Sequence, residues 1–321
     1  MSHKTTPWTV AAIPLQIGRR VLITGANSGI GWPTALWLAR RGADVMLACR
    51  DQAKGEAAVS KLLDEAPGAH ISLELLDLAS LDSVRALAQR ELERGLPLDL
   101  LINNAGVMTP PRRLETKDGF ELQFGTNVLG HFALTGLLMP ALERAAAKAT
   151  SEETRPRVVM VASIAHKRGK LKFDDLQAKQ NYSPMESYQQ SKLADLMLAL
   201  ELERRLQAKS SAILSVAAHP GVAQTNLFIT GGYSGFELTM RKAVGHLIGT
   251  LLNSETEGAY PTLYAATSPE VTGGGYYGPQ GFQEARGGDA GPAKIAPQAL
   301  DQAAAARLWS VCEDLTGVRF P

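Results

Sequence analysis

Residues 21–31, Val21-Leu22-Ile23-Thr24-Gly25-Ala26-Asn27-Ser28-Gly29-Ile30-Gly31, decide the fold. The first four form a short apolar run, which is typical of a buried strand in a parallel sheet. A turn with three glycines follows, and apolar residues at helical spacing continue to Arg41. Glycine lets backbone N–H groups approach a pyrophosphate, and the positive end of the next helix favours the same anion. Glycine spacing alone is as typical of a surface loop, but its place between strand and helix predicts a dinucleotide site.

Strands alternate with helices along the rest of the chain. Apolar runs predict further strands at 44–48, 71–75, 98–102, 158–162 and 212–217. Apolar residues at helical spacing predict further helices at 51–63, 81–92, 119–149, 186–207 and 298–315. This alternation predicts an α/β Rossmann fold, a doubly wound parallel sheet of about seven strands with helices on both faces. Since no repeat or linker divides the sequence, we expect residues 1–321 to form a single domain.

The composition excludes several classes of protein. The chain has 321 residues, of which 45% are hydrophobic and 20% charged, and its net charge of +1 gives no electrostatic support for a nucleic-acid partner. Two cysteines are too few for a disulfide scaffold, and the histidines show no metal-ligand spacing. The N-terminus lacks the apolar run of a signal peptide, and no apolar run approaches the roughly 20 residues that span a bilayer. We therefore expect a cytoplasmic protein without a metal site or a transmembrane segment.

The end of the second predicted strand bears on the choice of cofactor. An acidic residue there would bind the ribose 2′-hydroxyl of NAD, but the sequence reads Ala48-Cys49-Arg50-Asp51. Arg50 is placed to face a 2′-phosphate, because a guanidinium offers charge and paired donors. Arg50 as a solvated surface residue and Asp51 as the ribose ligand are the alternatives, although Asp51 is also a favoured N-cap. We expect NADP(H) to be favoured over NAD(H).

Further motifs follow in a fixed order over about residues 19–225. After the glycine turn come Asn103-Asn104-Ala105-Gly106, Asn127, Ser163, Tyr188 with Lys192, Pro220-Gly221 and Thr225. Together they resemble the short-chain dehydrogenase/reductase family. Residues 49–51, 118–124 and 127–132 are similar to its retinol dehydrogenase-like branch, which includes protochlorophyllide reductases. The resemblance implies an NAD(P)H-dependent oxidoreductase that transfers a hydride between nicotinamide and a carbonyl or alcohol.

Four residues are the candidate catalytic group. Tyr188 and Lys192 lie four apart on a predicted helix and share one face, and an ammonium beside a phenol favours the phenolate. Tyr188 would therefore act as the general acid or base. By resemblance, Lys192 binds the nicotinamide ribose, Ser163 polarises the substrate oxygen, and Asn127 anchors a water that connects Lys192 to solvent. Singly, Tyr188 and Lys192 are also explained as a surface pair, Ser163 as a helix cap and Asn127 as a buried amide. All four together, in the family's order, favour the catalytic interpretation.

The resemblance also implies a set of cofactor-binding residues, to which Tyr188 and Lys192 belong. The pyrophosphate turn comprises Gly25, Asn27, Ser28, Gly29, Ile30 and Gly31, and the residues expected at the adenine are Asp77 and Leu78. The wall beside the adenine ribose comprises Asn104, Ala105 and Gly106. The loop beside the nicotinamide carboxamide comprises Pro220, Gly221, Val222 and Thr225. Arg50 completes the set. Asp77 is nearly as well explained as a helix N-cap, for which Ser80 is better placed.

The region 222–271 is the expected substrate lid. Apolar residues recur at helical spacing over 236–251, which suggests a lipophilic alcohol, aldehyde or ketone as the substrate. A helix packed on the sheet edge and a membrane-surface helix remain alternatives. The helices near 119–149 and 186–207 form the dimer face in many relatives, so a homodimer is one expectation. We expect His131 to be a packed core residue and His166 to lie on a surface loop. The rival function is a non-catalytic NADP-binding sensor or scaffold.

Overall fold

The computed structural model describes residues 8–222 and 253–321. Helices and strands alternate through these residues, and we number them in chain order. They are β1 Arg20–Thr24, α1 Gly31–Arg40, β2 Asp44–Cys49, α2 Gln52–Glu65, β3 His70–Leu75, α3 Leu81–Glu93, β4 Leu100–Asn103, α4 Gly130–Ala146, β5 Arg157–Val161, α5 Pro184–Ala208, β6 Leu214–Ala218, α6 Glu255–Thr267, β7 Tyr276–Pro279, β8 Ala290–Pro292 and α7 Gln302–Thr316. A π-helical turn, Phe124–Leu129, leads directly into α4.

The strands form one sheet in the order β3-β2-β1-β4-β5-β6-β7-β8. All neighbouring pairs are parallel except β7 and β8, which pair antiparallel at one edge. The sheet therefore has the predicted doubly wound architecture, with one strand more than expected. The chain order reverses between β1 and β4, and a crevice outside the carboxyl ends of such strands is where this architecture binds ligands.

Side-chain alternation divides the core between the two faces of the sheet. Leu22 of β1 and Val158 of β5 belong to one buried cluster, whereas Ile23 and Val159, the next residues, belong to the other. Both faces are covered by helices, so the strands are apolar at nearly every position. This burial on both sides explains why continuous apolar runs, and not alternating ones, predicted the strands.

The helix predicted over 119–149 begins later than expected. Its first turn, Phe124–Leu129, is π-helical, and the buried carboxylate of Glu121 accepts hydrogen bonds from the backbone N–H groups of Gln123 and Phe124. Burial raises the pKa of Glu121, and these backbone donors oppose the change. Glu121 therefore caps the start of the helix, and Asn127 lies in the π-helical turn.

The C-terminal third differs most from the prediction. The expected lid region 222–271 contains α6, which begins at a Ser254–Glu257 capping box and packs against α1 and the strands β5 to β7. Its residues from 255 to 267 therefore belong to the helical layer of the fold. Residues 223–252 of this region, including the apolar face over 236–251, lie outside the described residues. The strands β7 and β8, which no apolar run predicted, also lie in this third of the chain.

The C-terminal helix α7 packs on the surface formed by α4 and α5. Trp309 of α7 meets Phe132 of α4 edge to face, with ring centroids 4.9 Å apart, and the guanidinium of Arg205 on α5 lies over the Trp309 ring. Phe320 of the C-terminal tail covers Gly136. The face on which the homodimer expectation rests is therefore largely covered by the chain itself.

Candidate active site

The glycine turn lies between the carboxyl end of β1 and the start of α1, as predicted. Gly25 and Gly29 have φ angles of +66° and +57°, a conformation that L side chains rarely adopt. At the N-cap of α1 stands Ile30, which offers no side-chain hydrogen bond to the first turn of the helix. Asn27 and Ser28 lie within this turn. The first backbone N–H groups of α1 therefore have no side-chain cap and are available to an anion.

The underside of the turn rests on Cys49 at the end of β2. Burial raises the pKa of the Cys49 thiol to about 11, and backbone N–H groups of Asn27 and Ala26 oppose the change by bonding to the sulfur. The thiol is therefore a packing group at neutral pH. Sequence reasoning used Cys49 only as a marker of the strand end and missed this contact.

Thr24 joins the ends of β1 and β4. Its hydroxyl oxygen accepts hydrogen bonds of 2.9 Å from the backbone N–H groups of Asn104 and Ala105, and its carbonyl accepts one from the Asn104 side chain. The Oδ1 atom of Asn104 is buried and has no hydrogen-bond partner among the described residues. The free helix end, the positive-φ glycines and this unpaired oxygen all border one crevice and fit a dinucleotide cofactor.

His131 is a packed core histidine, as predicted. Its Nδ1 lies 2.8 Å from the backbone carbonyl of Asn127, and its Nε2 lies 2.9 Å from Thr24 Oγ1. Because a carbonyl only accepts, Nδ1 carries the proton and Nε2 accepts from the Thr24 hydroxyl. Burial lowers the pKa of His131 to about 3, so the ring is neutral.

Asn127 pairs with the backbone of Val107. Its Oδ1 accepts from the Val107 N–H at 2.8 Å, and its Nδ2 donates to the Val107 carbonyl at 3.0 Å and to Ser191 Oγ. A Cβ atom added to Gly106 would lie 3.3 Å from Asn127 Oδ1 and 3.8 Å from Lys192 Nζ. Gly106, Asn127 and Lys192 therefore meet at one point beside the crevice.

Tyr188 and Lys192 lie on the buried face of α5. The ammonium of Lys192 donates to the backbone carbonyl of Val161 at 2.9 Å and to Asp195 Oδ2 at 2.8 Å. Burial lowers the pKa of Lys192, but Asp195 and Tyr188 outweigh this effect, and the net shift is upward. Lys192 is therefore a cation next to Tyr188. Asp195 was missed by sequence reasoning, although its spacing from Lys192 was the available signal.

Ser163 follows β5, close to where Lys192 contacts that strand. Its Oγ accepts a hydrogen bond from the Ala165 N–H at 3.2 Å, which makes it the N-cap of the short helical turn Ile164–Arg168. The cap uses an oxygen lone pair and leaves the hydroxyl hydrogen available as a donor. The capping role that the sequence left open is therefore compatible with the catalytic one.

Arg50 and Asp51 stand at the carboxyl end of β2. Asp51 caps α2, since its Oδ1 accepts from the Lys54 N–H at 3.0 Å, and this hydrogen bond lowers its pKa. The preferred interpretation of Asp51 as an N-cap is thus confirmed. Arg50 is exposed, and no hydrogen bond or ion pair within the described chain occupies its guanidinium. It is free to meet a charged group of a cofactor.

Asp77 and Leu78 follow β3. Ser80 caps α3, as expected, and Asp77 Oδ1 accepts from the Ala79 N–H. Leu78 packs so closely on Gly130 that a Cβ atom there would lie 2.5 Å from the Leu78 carbonyl oxygen. The pair therefore borders α4 on the β1 side of the crevice.

The loop after β6 is held from several directions. Gly221 has a φ of +70°, and its N–H donates to His219 Nδ1 at 3.1 Å. Val222 N–H donates to the Ala285 carbonyl, and the Pro220 carbonyl accepts from the Asn253 side chain. Thr225, the remaining predicted residue of this loop, lies outside the described residues.

His166 is not the surface residue that the sequence predicted. It is fully buried, its Nδ1 bonds to the Ser163 carbonyl, and its Nε2 accepts from the Ala296 N–H. Its ring also meets Tyr276 edge to face. The prediction was wrong because the partners of His166 come from a segment about 110 to 130 residues later in the chain.

An open cleft of about 750 Å³ begins beside Ser163. It is lined by Ile164, Ala165, Lys167, Arg168, Met185, Gln189, Gly281, Gln283, Glu284 and Lys294. Ala165 and Gln189 are close neighbours of Ser163 and Tyr188 in the chain, but neither Ser163 nor Tyr188 itself lines the cleft. Within residues 8–222 and 253–321, no cluster of His, Cys, Asp and Glu could hold a metal ion. No helix in those ranges is both long and apolar enough to cross a bilayer.

Known proteins resemble this chain over nearly its whole length. A family model described as short chain dehydrogenase matches residues 19–232. Human retinol dehydrogenase 14 is 39% identical over 319 residues, covering 95% of this chain and 88% of that protein. Mouse polyprenol dehydrogenase is 42% identical over 306 residues, covering 95% and 86%. A crystal structure of an uncharacterized protein from Mycobacterium Paratuberculosis matches with a TM-score of 0.76 and 40% identity, covering 98% of this chain and 100% of that one.

Proposed function

The chain belongs to the short chain dehydrogenase family, in its retinol dehydrogenase-like branch, and from this premise we propose which of its residues carry the reaction. The protein is an NAD(P)-dependent oxidoreductase of single-domain Rossmann fold. A non-catalytic role on the same fold is not favoured, because Ser163, Tyr188 and Lys192 are all present and a sensor needs no proton donor. The observation that carries the proposal is the buried Lys192 ammonium on the helix face of Tyr188.

Tyr188 is the proposed general acid and base. The bound nicotinamide supplies or accepts the hydride. Tyr188 donates its proton to the carbonyl oxygen in reduction and removes one from the alcohol in oxidation, aided by the neighbouring cation of Lys192. Ser163 polarises the substrate oxygen with its hydroxyl hydrogen. Asn127 positions the backbone of Val107 beside Gly106 and anchors the water through which Lys192 exchanges its proton.

The proposed cofactor site is the crevice between β1 and β4. The turn from Gly25 to Gly31 would hold the pyrophosphate at the start of α1, and Asn104 to Gly106 would border the adenine ribose. The stretch 220–225 would hold the carboxamide, and Asp77 with Leu78 the adenine. Arg50, which is exposed and has no partner within residues 8–222 and 253–321, supports a preference for NADP(H) over NAD(H).

The proposed substrate is a small lipophilic carbonyl or alcohol. The support for this substrate class is the names of the relatives, which describe dehydrogenases of retinol and polyprenol. The relatives' own substrates are the first to test. Carbonyl reduction and alcohol oxidation are the same reaction in opposite directions, and both belong to this proposal.

A substrate panel run with both cofactors tests the function. The purified protein is mixed with NADPH or NADH and a series of aldehydes and ketones of increasing chain length, including retinal, and the nicotinamide absorbance is followed. We expect oxidation of NADPH that becomes more efficient with longer apolar chains. Retinol and polyprenol with NADP test the opposite direction. Equal rates for short polar and long apolar carbonyls would contradict the substrate class, and tighter binding of NADH would contradict the cofactor preference.

Two further expectations complete the proposal. A cytoplasmic location is supported by the two cysteines, both free and buried. The homodimer through α4 and α5 stays a prediction, and the packing of α7 on that face favours a monomer. Sedimentation analysis of the full chain distinguishes the two states.

A further inference from the structure

Lys192 and Asp195 form a buried ion pair one helical turn apart on α5. The side chains of Lys192 and Asp195 are 6% and 0% exposed, and Nζ lies 2.8 Å from Oδ2. A second ammonium hydrogen is used by the Val161 carbonyl. An ammonium has three hydrogens, so one remains for the crevice.

The pair has an electrostatic consequence. A buried ammonium without a counter-ion loses its proton readily, because burial disfavours the charged form. For Lys192 burial acts in this direction, and Asp195 is the larger of the two groups that raise the pKa again, the other being Tyr188. Burial raises the pKa of Asp195 to about 6 against the opposing effect of Lys192, so the carboxylate is ionised at neutral pH.

No other carboxylate in the described chain acts on Lys192. From α4, His131 faces it and is neutral. From α7, Cys312 faces Asp195, and burial together with Asp195 raises the pKa of that thiol, which stays protonated. From β5 comes only the backbone carbonyl of Val161. Asp195 is therefore the main counter-charge of Lys192 among the described residues, and Tyr188 is the second group that raises its pKa.

We propose that Asp195 is a positioning residue of the reaction, the counter-ion that keeps Lys192 protonated and fixes the direction of its free N–H bond. This inference rests on the proposed role of Lys192 beside Tyr188 and deepens it. The Asp195 side chain is fully buried and paired with Lys192, so it would act through the ammonium. With the carboxylate and the Val161 carbonyl holding two hydrogens, the third points away from both, towards the side where Gly106 and Asn127 lie.

Asp195→Asn removes the negative charge of the side chain and keeps its size and shape. The amide oxygen keeps a hydrogen bond to Lys192 while the negative charge is lost. We expect the pKa of Lys192 to fall by about one unit or more, a tenfold or greater change in its proton affinity. Asp195→Glu retains the charge and should restore most of the wild-type value. Glu201→Gln is the matched control, because Glu201 is a buried carboxylate on the same helix whose partners are Arg204 and Arg205.

The charge of Lys192 is measured without substrate, by nuclear magnetic resonance of the full chain labelled with ¹⁵N at the lysine Nζ. The Lys192 signal is identified by its loss in Lys192→Arg. We expect the wild type to stay ammonium up to the pH at which free lysine titrates, Asp195→Asn to deprotonate earlier, and Glu201→Gln to match the wild type. A wild-type midpoint below that of free lysine, or equal midpoints in wild type and Asp195→Asn, would overturn the proposal.

The pH profile of turnover gives a second readout. Where Asp195→Asn has lost the Lys192 proton and the wild type has not, kcat should fall about tenfold, with recovery in Asp195→Glu. A uniform loss at all pH values would indicate a merely structural role and count against the proposal. Because the resonance titration needs no substrate, the two failures are distinguishable: a shifted Lys192 midpoint in a protein inactive on every substrate would refute the proposed function and the role of Asp195 in the reaction, and would leave only Asp195 as the counter-ion of Lys192.

Discussion

His131 donates a hydrogen bond from Nδ1 to the backbone carbonyl of Asn127 across a distance of 2.8 Å. Its other nitrogen accepts from Thr24, whose hydroxyl oxygen also receives the N–H groups of Asn104 and Ala105. One neutral ring thus connects the end of β1, where the cofactor turn begins, with the π-helical turn that carries Asn127.

Replacing His131 by Leu should disturb both ends of this connection. The Thr24 hydroxyl loses its acceptor and the Asn127 carbonyl loses its donor inside the core, which we expect to cost about 3 kcal/mol of unfolding free energy. Turnover should fall as well, because the backbone carbonyl of Asn127 loses its bond to His131 and the turn that carries Asn127 can shift. Urea denaturation and steady-state rates measure the two effects. His70→Leu, at an exposed position of β3, is the control, and an equal loss in both variants would contradict the role of His131.

Buried histidines should make the protein sensitive to acid. Burial lowers the pKa of His219 from 6.5 to about 3, so the unfolded chain binds a proton between these values that the folded chain refuses. Stability contributed by His219 is therefore present above pH 6.5 and lost as the pH falls towards 3, by about 1.4 kcal/mol per pH unit. His219→Gln should show a shallower decline than the wild type in denaturation curves at pH 7, 5.5 and 4. Parallel declines would refute this assignment.

Tyr188→Phe removes the proposed proton donor and little else. The ring stays packed and only one hydroxyl of the cofactor-binding set is lost, so cofactor binding should change little, while turnover should drop about a hundredfold or more. Fluorescence titration with NADPH and steady-state rates test both statements. Tyr260→Phe, a partly buried tyrosine on α6, should behave as the wild type. Near-normal turnover of Tyr188→Phe would exclude this tyrosine as the acid.

Arg50→Ala should affect the binding of NADPH and of NADH differently. Loss of a charge-assisted pair with a 2′-phosphate should weaken NADPH binding about tenfold or more and leave NADH binding nearly unchanged. Calorimetric titration with each cofactor provides the comparison. Arg40→Ala changes the same type of side chain at the far end of α1, where it bonds to the Glu65 carbonyl. If both cofactors weaken alike, Arg50 does not read the 2′-phosphate.

Gly31→Ala should distort the crevice between β1 and β4. A Cβ atom there would lie 2.6 Å from Asn104 Nδ2 and 2.7 Å from the Gly25 carbonyl oxygen, so the turn or the Asn104 side chain must move. We expect a loss of about 1–3 kcal/mol in stability together with weaker cofactor binding. At Gly288 an added Cβ meets nothing within 4 Å, and Gly288→Ala should be neutral. Thermal unfolding with and without NADPH measures both variants, and a Gly31→Ala protein as stable as Gly288→Ala would contradict the crowding argument.

The elements with strong local patterns were predicted within a few residues. For example, 44–48 became β2, Asp44–Cys49, and 186–207 became α5, Pro184–Ala208. The strand Tyr276–Pro279 was not predicted, because four residues that include a glycine and a proline carry almost no strand signal. It forms only because β6 presents an edge to it, and that edge is a product of the folded chain.

The candidate site likewise contains some residues that the sequence predicted and others that only the structure identified. Tyr188, Lys192 and Ser163 were identified from residue type, spacing and order, which local sequence carries. Asp195 stands at a spacing that is ordinary for a surface ion pair, and only its burial under α7 shows that it is the counter-ion of Lys192. That burial depends on residues more than 100 positions away.

The sequence alone determined the α/β architecture, the glycine turn and the order of the candidate catalytic residues, because apolar runs, helical spacing and glycine conformations act over a few residues. The tertiary structure alone decided the buried position of His166, the path from Thr24 through His131 to Asn127, and the ion pair beneath Tyr188. These depend on desolvation and on distances between segments far apart in the chain. The protonation states of Lys192, Asp195 and His131 therefore depend on burial by helices that pack on the sheet, which the local sequence does not show.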